Sequence, residues 1–419
     1  MTAAEAVAGR AGRRIPAALA AWLGVLIVLV AAGAAAWVYQ LANGLVVTDM
    51  RGNVMWGLYI ITFMFFVGLS AGGLIVASAG RVFGVTRFSP IVRVAVLEAT
   101  VAVLVAAVCI VPDVGHPERL VNLILSPHLT SPMVWDVTII AVYLLLSLLY
   151  VYLYTRRDLA ARGSRLALGV KDSPAGRARD HRLTGALAWV ALPAAVLVHS
   201  VTAWIFGLQI SRGFWYTAIM APMFVSSALV SGLSLVAVVS VAARRFGVVS
   251  FREDLVRGLG GLLATFIAVQ AFLVFCELLA GTYPGVDADP VKELLGGQYA
   301  LLFGVEVVVG LLAPFLLLAA PRLRGRPGVL ALAAALALVG IYVHRVEIIL
   351  VGLGNAPLPY GPGTALGTKT GADATSFAVA SQYMPRVVEV VIVVGLFALA
   401  ALLLTLGAMV LPLRHEASE

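Results

Sequence analysis

Long apolar runs recur along the whole chain and are separated by short polar connections. Within a run, apolar residues occupy every face of a helix, which is typical of helices surrounded by lipid. A helix needs about 20 such residues to cross the hydrocarbon core. We therefore predict an all-α integral membrane protein with about ten transmembrane helices, approximately at 16–40, 56–82, 90–112, 134–155, 183–205, 215–243, 257–281, 298–320, 328–354 and 386–412.

Composition agrees with this pattern. Of 419 residues, 61% are hydrophobic and 12% are charged, whereas a soluble domain has about 45–50% apolar and about 25% charged residues. Cys109 and Cys276 both lie in apolar runs, and no CxxC or Cys/His ligand spacing occurs. A disulfide scaffold and an iron–sulfur cluster within this chain are therefore excluded, and we expect no metal site and no catalytic residue of its own.

The basic residues alternate between the two sides of the predicted helices. Most of the 29 Lys and Arg residues fall on one side, and those on the other are Arg51, Arg119, Arg212, Lys292, Arg345, Lys369 and Arg386. Positive connections stay in the cytoplasm, so we predict that both termini are cytoplasmic. The net charge of +8 thus reflects topology, and no nucleic-acid partner is expected. The most basic connection, 156–182, is predicted to be a solvated loop, and the N-terminus to lead into a first helix without a cleaved signal.

An internal repeat divides the chain. The segments 198–208, "VHSVTAWIFGL", and 343–353, "VHRVEIILVGL", each end an outward-running helix and share a histidine, His199 or His344. Small residues in "FVGLSAGG" and "FVSSALVSGLS" predict close approach of helices two and six. We predict two four-helix bundles, helices 2–5 and 6–9, related by an axis along the membrane normal, with helices one and ten flanking them. The predicted domains are 1–55 (tail and first helix), 56–205, 206–354, and 355–419 (outer loop, tenth helix and cytoplasmic tail).

Titratable residues concentrate at the predicted outer ends of the helices. Only Glu98 lies nearer the inner side, and the others are Asp136, His199, Glu277, Glu306, His344, Glu347 and Glu389. The outer connection 112–136, "PDVGHPERLVNLILSPHLTSPMVWD", adds further ionisable groups. Each residue alone fits an interhelical hydrogen bond, but ionisable groups within membranes are costly, and together they indicate a shared site or a docked partner.

Three functions are compatible with this cluster. His199 and His344 fit axial ligands of a haem, although the acids would then be unexplained. A secondary transporter fits the repeat and the acids, but transporter sites lie near the midplane. A quinone pocket requires an apolar slot, hydrogen-bonding side chains and groups that take two protons. The apolar helices and the titratable side chains at their outer ends meet all three requirements. Because no redox centre is encoded, that function requires an external electron-transfer partner.

Four motifs resemble the NrfD/PsrC family of polysulfide-reductase-type membrane subunits. They are "GLYIITFMFFVGLSAGG" (57–73), "VGHPERLVNLILSPHLTSPMVWD" (114–136), "HSVTAWIFGLQISRGFW" (199–215) and "YMPRVVEVVIVVG" (383–395). The helix count resembles the longer, ten-helix branch of the family, which includes membrane subunits of hydrogenases and of alternative complex III. The resemblance implies a haem-free membrane anchor subunit of a respiratory oxidoreductase in a bacterial or archaeal cell membrane.

The family resemblance also implies a ligand, partners and residue roles. Menaquinone or ubiquinone would bind as substrate, and electrons would pass to a ferredoxin-like four-cluster iron–sulfur subunit, often beside a molybdopterin catalytic subunit. Quinone binding is expected of Tyr59, His116, Asp136 and His199. The outer loop residues Asp113, Glu118, Arg119 and His128 are expected to meet the partner.

Proton transfer is assigned to the remaining acids and one histidine. We expect protons from quinol oxidation to leave outward through Glu277, Glu306, His344, Glu347 and Glu389. Glu98 instead suggests an inward path that would permit redox-driven proton translocation.

Overall fold

The computed structural model describes residues 16–50, 54–210, 212–245, 253–283, 288–354 and 383–413. Every regular element within these ranges is a helix, and ten of the helices are long and apolar enough to cross a membrane. The prediction of an all-α, multi-pass membrane protein is confirmed. The ten are α1 (Ala17–Asn43), α2 (Leu58–Val82), α3 (Val92–Asp113), α4 (Pro132–Ala161), α5 (Pro174–Gly207), α6 (Met220–Arg245), α7 (Glu253–Thr282), α8 (Ala300–Ala319), α9 (Pro327–Gly354) and α10 (Val387–Val410).

Contacts between helices follow two closed circuits. In the first, α2 packs on α3, α3 on α4, α4 on α5, and α5 returns to α2. In the second, α6, α7, α8 and α9 close in the same order, and α2 joins the two circuits through α6. Helices α1 and α10 pair with each other, and α10 packs on α3. The axis relating the two circuits, the domain limits and the sidedness stay predictions, and Arg51 and Lys369 lie outside the described residues.

The prediction of a solvated loop over 156–182 is wrong for most of that segment. Helix α4 continues to Ala161, and α5 begins at Pro174 with Ser173 as its cap, accepting a hydrogen bond from the Gly176 amide at 3.1 Å. Acidic residues within the segment pair with the arginines and allow the helices to extend. The pairs are Arg156 and Arg157 with Asp180, and Arg177 with both Asp158 and Asp172.

Three pairs of glycines mark close helix crossings. A Cβ on Gly72 of α2 would lie 2.1 Å from the Gly232 carbonyl carbon of α6. A Cβ on Gly310 of α8 would lie 2.3 Å from the Gly340 Cα of α9, and Gly33 and Gly395 meet between α1 and α10. The predicted close approach of helices two and six is confirmed. Small residues let helix backbones pack directly within lipid.

Substituting Gly72 with leucine should disrupt the central crossing. The added side chain would collide with the α6 backbone, which cannot rotate away, and overpacking of this kind costs about 1–3 kcal/mol or more. We expect less folded protein in the membrane and a lower melting temperature of the purified chain. Gly24→Leu is the matched control, because nothing lies within 4 Å of a Cβ at Gly24. Equal melting temperatures for the two variants would contradict the crossing.

Candidate functional site

A cavity of about 400 Å³ lies at one end of the first helix circuit. It is bounded by α2, α3, α4 and α5 and is covered by the connection between α3 and α4. Its walls are mainly apolar and aromatic: Trp56, Ile60, Phe63, Ile110, Val114, Leu120, Leu123, Met133, Val134, Val137, Ile205 and Phe206. Trp56 and Phe206 meet edge to face with ring centroids 5.2 Å apart. This volume falls within the range of small-molecule sites.

Two carboxyl groups reach this apolar space. Asp136, in the second turn of α4, lines the cavity and is 3% exposed, with its Oδ1 2.6 Å from Thr202 Oγ1 of α5. Asp113, the last residue of α3, also lines it, and its Oδ1 is buried without a hydrogen-bond partner in the part of the chain that the structure describes. Buried polar atoms are normally paired, and this carboxylate oxygen is free to accept a hydrogen bond from a molecule in the cavity.

The connection above the cavity separates the predicted partner residues into two groups. Arg119 and His128 line the cavity, and the Thr130 hydroxyl lies 2.8 Å from His128 Nδ1. Glu118 instead points outward, where hydrogen bonding by its own backbone amide and then by His116 lowers the pKa of its carboxyl group. His116 and Glu118 form an exposed pair with Nδ1 and Oε1 2.9 Å apart. His116 is therefore not among the residues that line the cavity.

Two of the predicted quinone ligands are used in helix packing. Both ring nitrogens of His199 face carbonyl oxygens, Nδ1 at 2.6 Å from Ala195 and Nε2 at 3.1 Å from Val67. The Tyr59 hydroxyl donates to Gln40, whose amide donates to the Pro112 carbonyl at 2.7 Å. Tyr59 thereby joins α1, α2 and α3 beside the cavity without lining it.

A second polar cluster lies within the other helix circuit. Nδ1 of His344 on α9 is 3.1 Å from Glu306 Oε1 on α8, and one ligand atom each of Glu306, His344 and Glu347 lie within 4.8 Å of one another. Glu277 of α7 interacts electrostatically with both His344 and Glu306. Four of the residues predicted for proton transfer are thus brought together.

The internal repeat places corresponding contacts in the two circuits. In the first, Thr202, three residues after His199, reaches Asp136 at the start of the preceding transmembrane helix. In the second, Glu347, three residues after His344, reaches Glu306, also near the start of the preceding transmembrane helix.

The two other predicted proton-transfer residues stand apart. Glu98 of α3 is fully buried, and neither carboxylate oxygen has a hydrogen-bond partner among the described residues. Glu389 closes a capping box at the start of α10 and accepts hydrogen bonds from the Asp49 and Arg386 amides, each at 2.9 Å. It also accepts from Tyr383, whose pKa is raised by burial and by the Glu389 charge. Roles for both in proton transfer stay predictions.

A larger groove of about 510 Å³ runs between α7 and α8. It is shallow and apolar, and Arg324 is the one charged residue that lines it. A lipid-facing furrow without converging polar groups is a weaker candidate than the cavity beneath the connection.

Comparison with known proteins identifies the family. The family model described as polysulphide reductase, NrfD, matches residues 46–355. The chain belongs to the NrfD family. The match covers both helix circuits and the connection above the cavity.

Relatives of this NrfD chain are membrane subunits of reductase complexes. A putative membrane subunit of dimethyl sulfoxide reductase from Halobacterium salinarum is 41% identical over 95% of this chain and 92% of that protein. A selenate reductase subunit from Mesobacillus selenatarsenatis is 25% identical over 91% of each chain. An Hdr-like menaquinol oxidoreductase integral membrane subunit from Archaeoglobus fulgidus is 24% identical over 91% of this chain and 90% of that protein. These similarities support a membrane anchor subunit of an oxidoreductase.

Sequence reasoning missed the aromatic walls of the NrfD cavity. Trp56 precedes α2, and Phe63 lies on α2 one turn after the predicted Tyr59. Phe206 follows Thr202 by four residues, which places it on the same helix face. That spacing was the available signal. Aromatic residues are so frequent at membrane helix ends that their position alone does not indicate a site.

Proposed function

We propose that this chain binds a quinone headgroup in the cavity beneath the α3–α4 connection and exchanges electrons with an iron–sulfur subunit docked on that connection. The observation that carries the proposal is the pair of buried carboxyl groups, Asp113 and Asp136, in an otherwise apolar cavity. A quinol needs apolar walls for its ring and acceptors for its two protons. The resident groups fit that chemistry.

The residues that line the cavity have different roles in quinone binding. Trp56, Phe63 and Phe206 provide flat apolar surfaces against which a ring can pack. Asp136 takes or gives a proton at its carboxyl group, and Asp113 offers a second acceptor. When bound, the quinone supplies the two-electron chemistry, because this chain holds no redox group of its own under the proposal.

Thr202 positions the Asp136 carboxyl group in both protonation states. Its hydroxyl oxygen lies 2.6 Å from Asp136 Oδ1 and 2.8 Å from the Val198 carbonyl. The single hydroxyl hydrogen can donate to an ionised Asp136. Once Asp136 carries a proton, the hydroxyl can turn to Val198 and accept from the aspartic acid instead. The carboxyl group therefore keeps a partner throughout a proton transfer.

The proposed partner binds above the cavity. Ile124, Leu125 and Leu129 in the connection are each more than 70% exposed, and Arg119 and His128 lie beside them at the cavity wall. Apolar residues surrounded by charged ones are typical of a docking surface. A ferredoxin-like iron–sulfur protein there would bring its clusters close to the quinone, and a molybdopterin protein would complete the complex.

Filling the cavity tests the proposal. Val137 lines the cavity, so Val137→Trp should displace the quinone and remove quinol-dependent turnover of the purified complex. Reduction of the terminal substrate with a soluble dye as electron donor should persist. Val142→Trp is the matched control, because Val142 lies on the same helix and is 43% exposed. Retained quinol turnover and retained bound quinone in Val137→Trp would overturn the proposal.

A second candidate function is redox-driven proton translocation through Glu98. Its carboxyl group is fully buried in α3 without a hydrogen-bond partner in the described residues, and buried acids in membranes often belong to proton paths. We expect Glu98→Gln to lower the number of protons released per electron in vesicles if this path operates. An unchanged ratio would remove this candidate.

A further inference from the structure

The cluster around Glu306 is built as a ligand site within the second helix circuit. Glu306, His344 and Glu347 are each no more than 3% exposed, and one ligand atom from each lies within 4.8 Å of the other two. Among the described residues, this is the one group of three or more His, Cys, Asp or Glu side chains so arranged. Glu277 of α7 lies outside this group and interacts electrostatically with His344 and Glu306.

Several polar atoms in the cluster have no partner. Oε1 of Glu347, Oε1 of Glu277 and Nε2 of His344 are buried and make no hydrogen bond within the part of the chain that the structure describes. Buried polar atoms are nearly always satisfied in native proteins. Their concentration around one contact, between His344 and Glu306, indicates a bound group that satisfies them.

The cluster holds more acidic than basic side chains. Its acids are Glu277, Glu306 and Glu347, and the basic side chains that interact with them electrostatically are His344 and Arg345. The Arg345 guanidinium is turned toward α6, where it donates to Ser227 and stacks on Phe224 at 4.0 Å from the ring centroid. A carboxylate that is ionised in a low-dielectric interior needs a compensating charge. A divalent cation bound between the carboxylates supplies that charge.

The helix geometry at Glu306 supports a dedicated site. Residues Val305–Leu312 form a π-helix between the α-helical turns of α8. Wide turns of this kind are rare and often occur at functional sites, because they redirect side chains away from the regular helical positions. Glu306 is the acidic residue in the first turn of that segment.

We propose that Glu306, His344 and Glu347 bind one divalent transition-metal ion. One imidazole nitrogen with carboxylate oxygens suits Zn²⁺, Mn²⁺, Fe²⁺ or Co²⁺, whereas Ca²⁺ and Mg²⁺ prefer oxygen ligands alone. This site is separate from the proposed quinone cavity, and neither proposal depends on the other.

Zinc binding to the intact purified complex tests the site. After chelator treatment, the complex is incubated with Zn²⁺, freed of excess metal and analysed for zinc per chain. We expect about one zinc ion in the wild type and loss of this zinc in His344→Ala and in the double variant Glu306→Gln, Glu347→Gln. Affinity should fall by about 100-fold or more, since even supporting hydrogen bonds at metal sites contribute 10–100-fold.

The exposed His116–Glu118 pair provides the matched control. It has the same two residue types with Nδ1 and Oε1 2.9 Å apart, but it lies at the surface. His116→Ala, Glu118→Gln should bind zinc as the wild type does. Zinc should also raise the melting temperature of the wild type and of this control, but not that of the His344 variant. A cooperative melting transition of the His344 variant without zinc shows that it is folded.

Two outcomes would overturn the proposal. If the wild type binds no zinc, or the cluster variants bind as much as the wild type, protons alone neutralise the acids. If zinc is lost in the His116–Glu118 variant and retained in His344→Ala, the metal binds at the surface. Quinol turnover of the wild type distinguishes failure of this site from failure of the proposed function.

Discussion

Replacing Asp136 with asparagine should abolish quinol-dependent turnover while leaving the complex assembled. The amide has the size of the carboxyl group and can still accept from Thr202, but it cannot take a proton. General acid–base groups contribute about 10²–10⁴-fold, so turnover should fall by at least about 100-fold. The measurement is quinol oxidation by the purified complex, with dye-driven activity as the internal standard.

Three further variants separate the proton-accepting role of Asp136 from a purely structural one. Thr138→Val removes a hydroxyl two residues away that donates to the Val134 carbonyl at 2.7 Å, and it should leave turnover near the wild-type value. Thr202→Val should lower turnover by about 10-fold and Thr202→Ser should restore it, because the serine hydroxyl can again meet Asp136. Full turnover in Asp136→Asn would reject the aspartate as the proton acceptor.

Replacing Arg345 with methionine should be the most damaging change to stability. Arg345 is 0% exposed, and its guanidinium interacts electrostatically with Glu306. Removing one member of such a buried pair of opposite charges costs about 3–5 kcal/mol, since the remaining charge is left uncompensated. We expect little folded chain in the membrane, measured as the yield of monodisperse protein after extraction in detergent. We also expect a strongly reduced melting temperature.

A second-site change should partly restore the Arg345 variant. Adding Glu306→Gln to Arg345→Met removes the acid with which Arg345 interacts together with the positive charge, and the yield of folded chain should recover. Arg257→Met is the surface control, because Arg257 pairs with Glu253 while both side chains are at least 60% exposed, and such pairs contribute about 0–1 kcal/mol. Equal losses in Arg345→Met and Arg257→Met would contradict a contribution of the Arg345 charge to stability.

The helices were predictable from sequence because lipid imposes a simple requirement on them. Each span needs about 20 apolar residues, so the limits of α3, α8 and α9 could be placed within a few residues. The last residue of α4 and the first residue of α5 could not be placed in this way. Both extensions depend on Asp180 and Asp158, which pair with arginines on the neighbouring helix. Such pairs are visible only once the two helices are placed side by side.

The candidate site was predicted in part. Asp136 could be found because a carboxyl group near the end of an apolar helix is rare and costly. Asp113 was expected to meet a partner, and the structure places it in the cavity lining. The same reasoning selected His199 and Tyr59, and the structure places both in contacts between helices. An apolar run indicates the depth of a residue in the membrane but not the direction in which it faces, and in helices without an apolar stripe that direction has no periodic signal.

Because Val305–Leu312 of α8 is a π-helix, a deletion within it would change which residues of α8 face α9. A one-residue deletion within Val305–Leu312 would let the segment wind as an ordinary α-helix, and each residue of an α-helix advances about 100° around the axis. Either Glu306 or Gly310 could keep its present neighbour on α9, but not both. The number of residues in Val305–Leu312 must therefore stay constant if both the acidic cluster and the Gly310–Gly340 crossing are to be preserved.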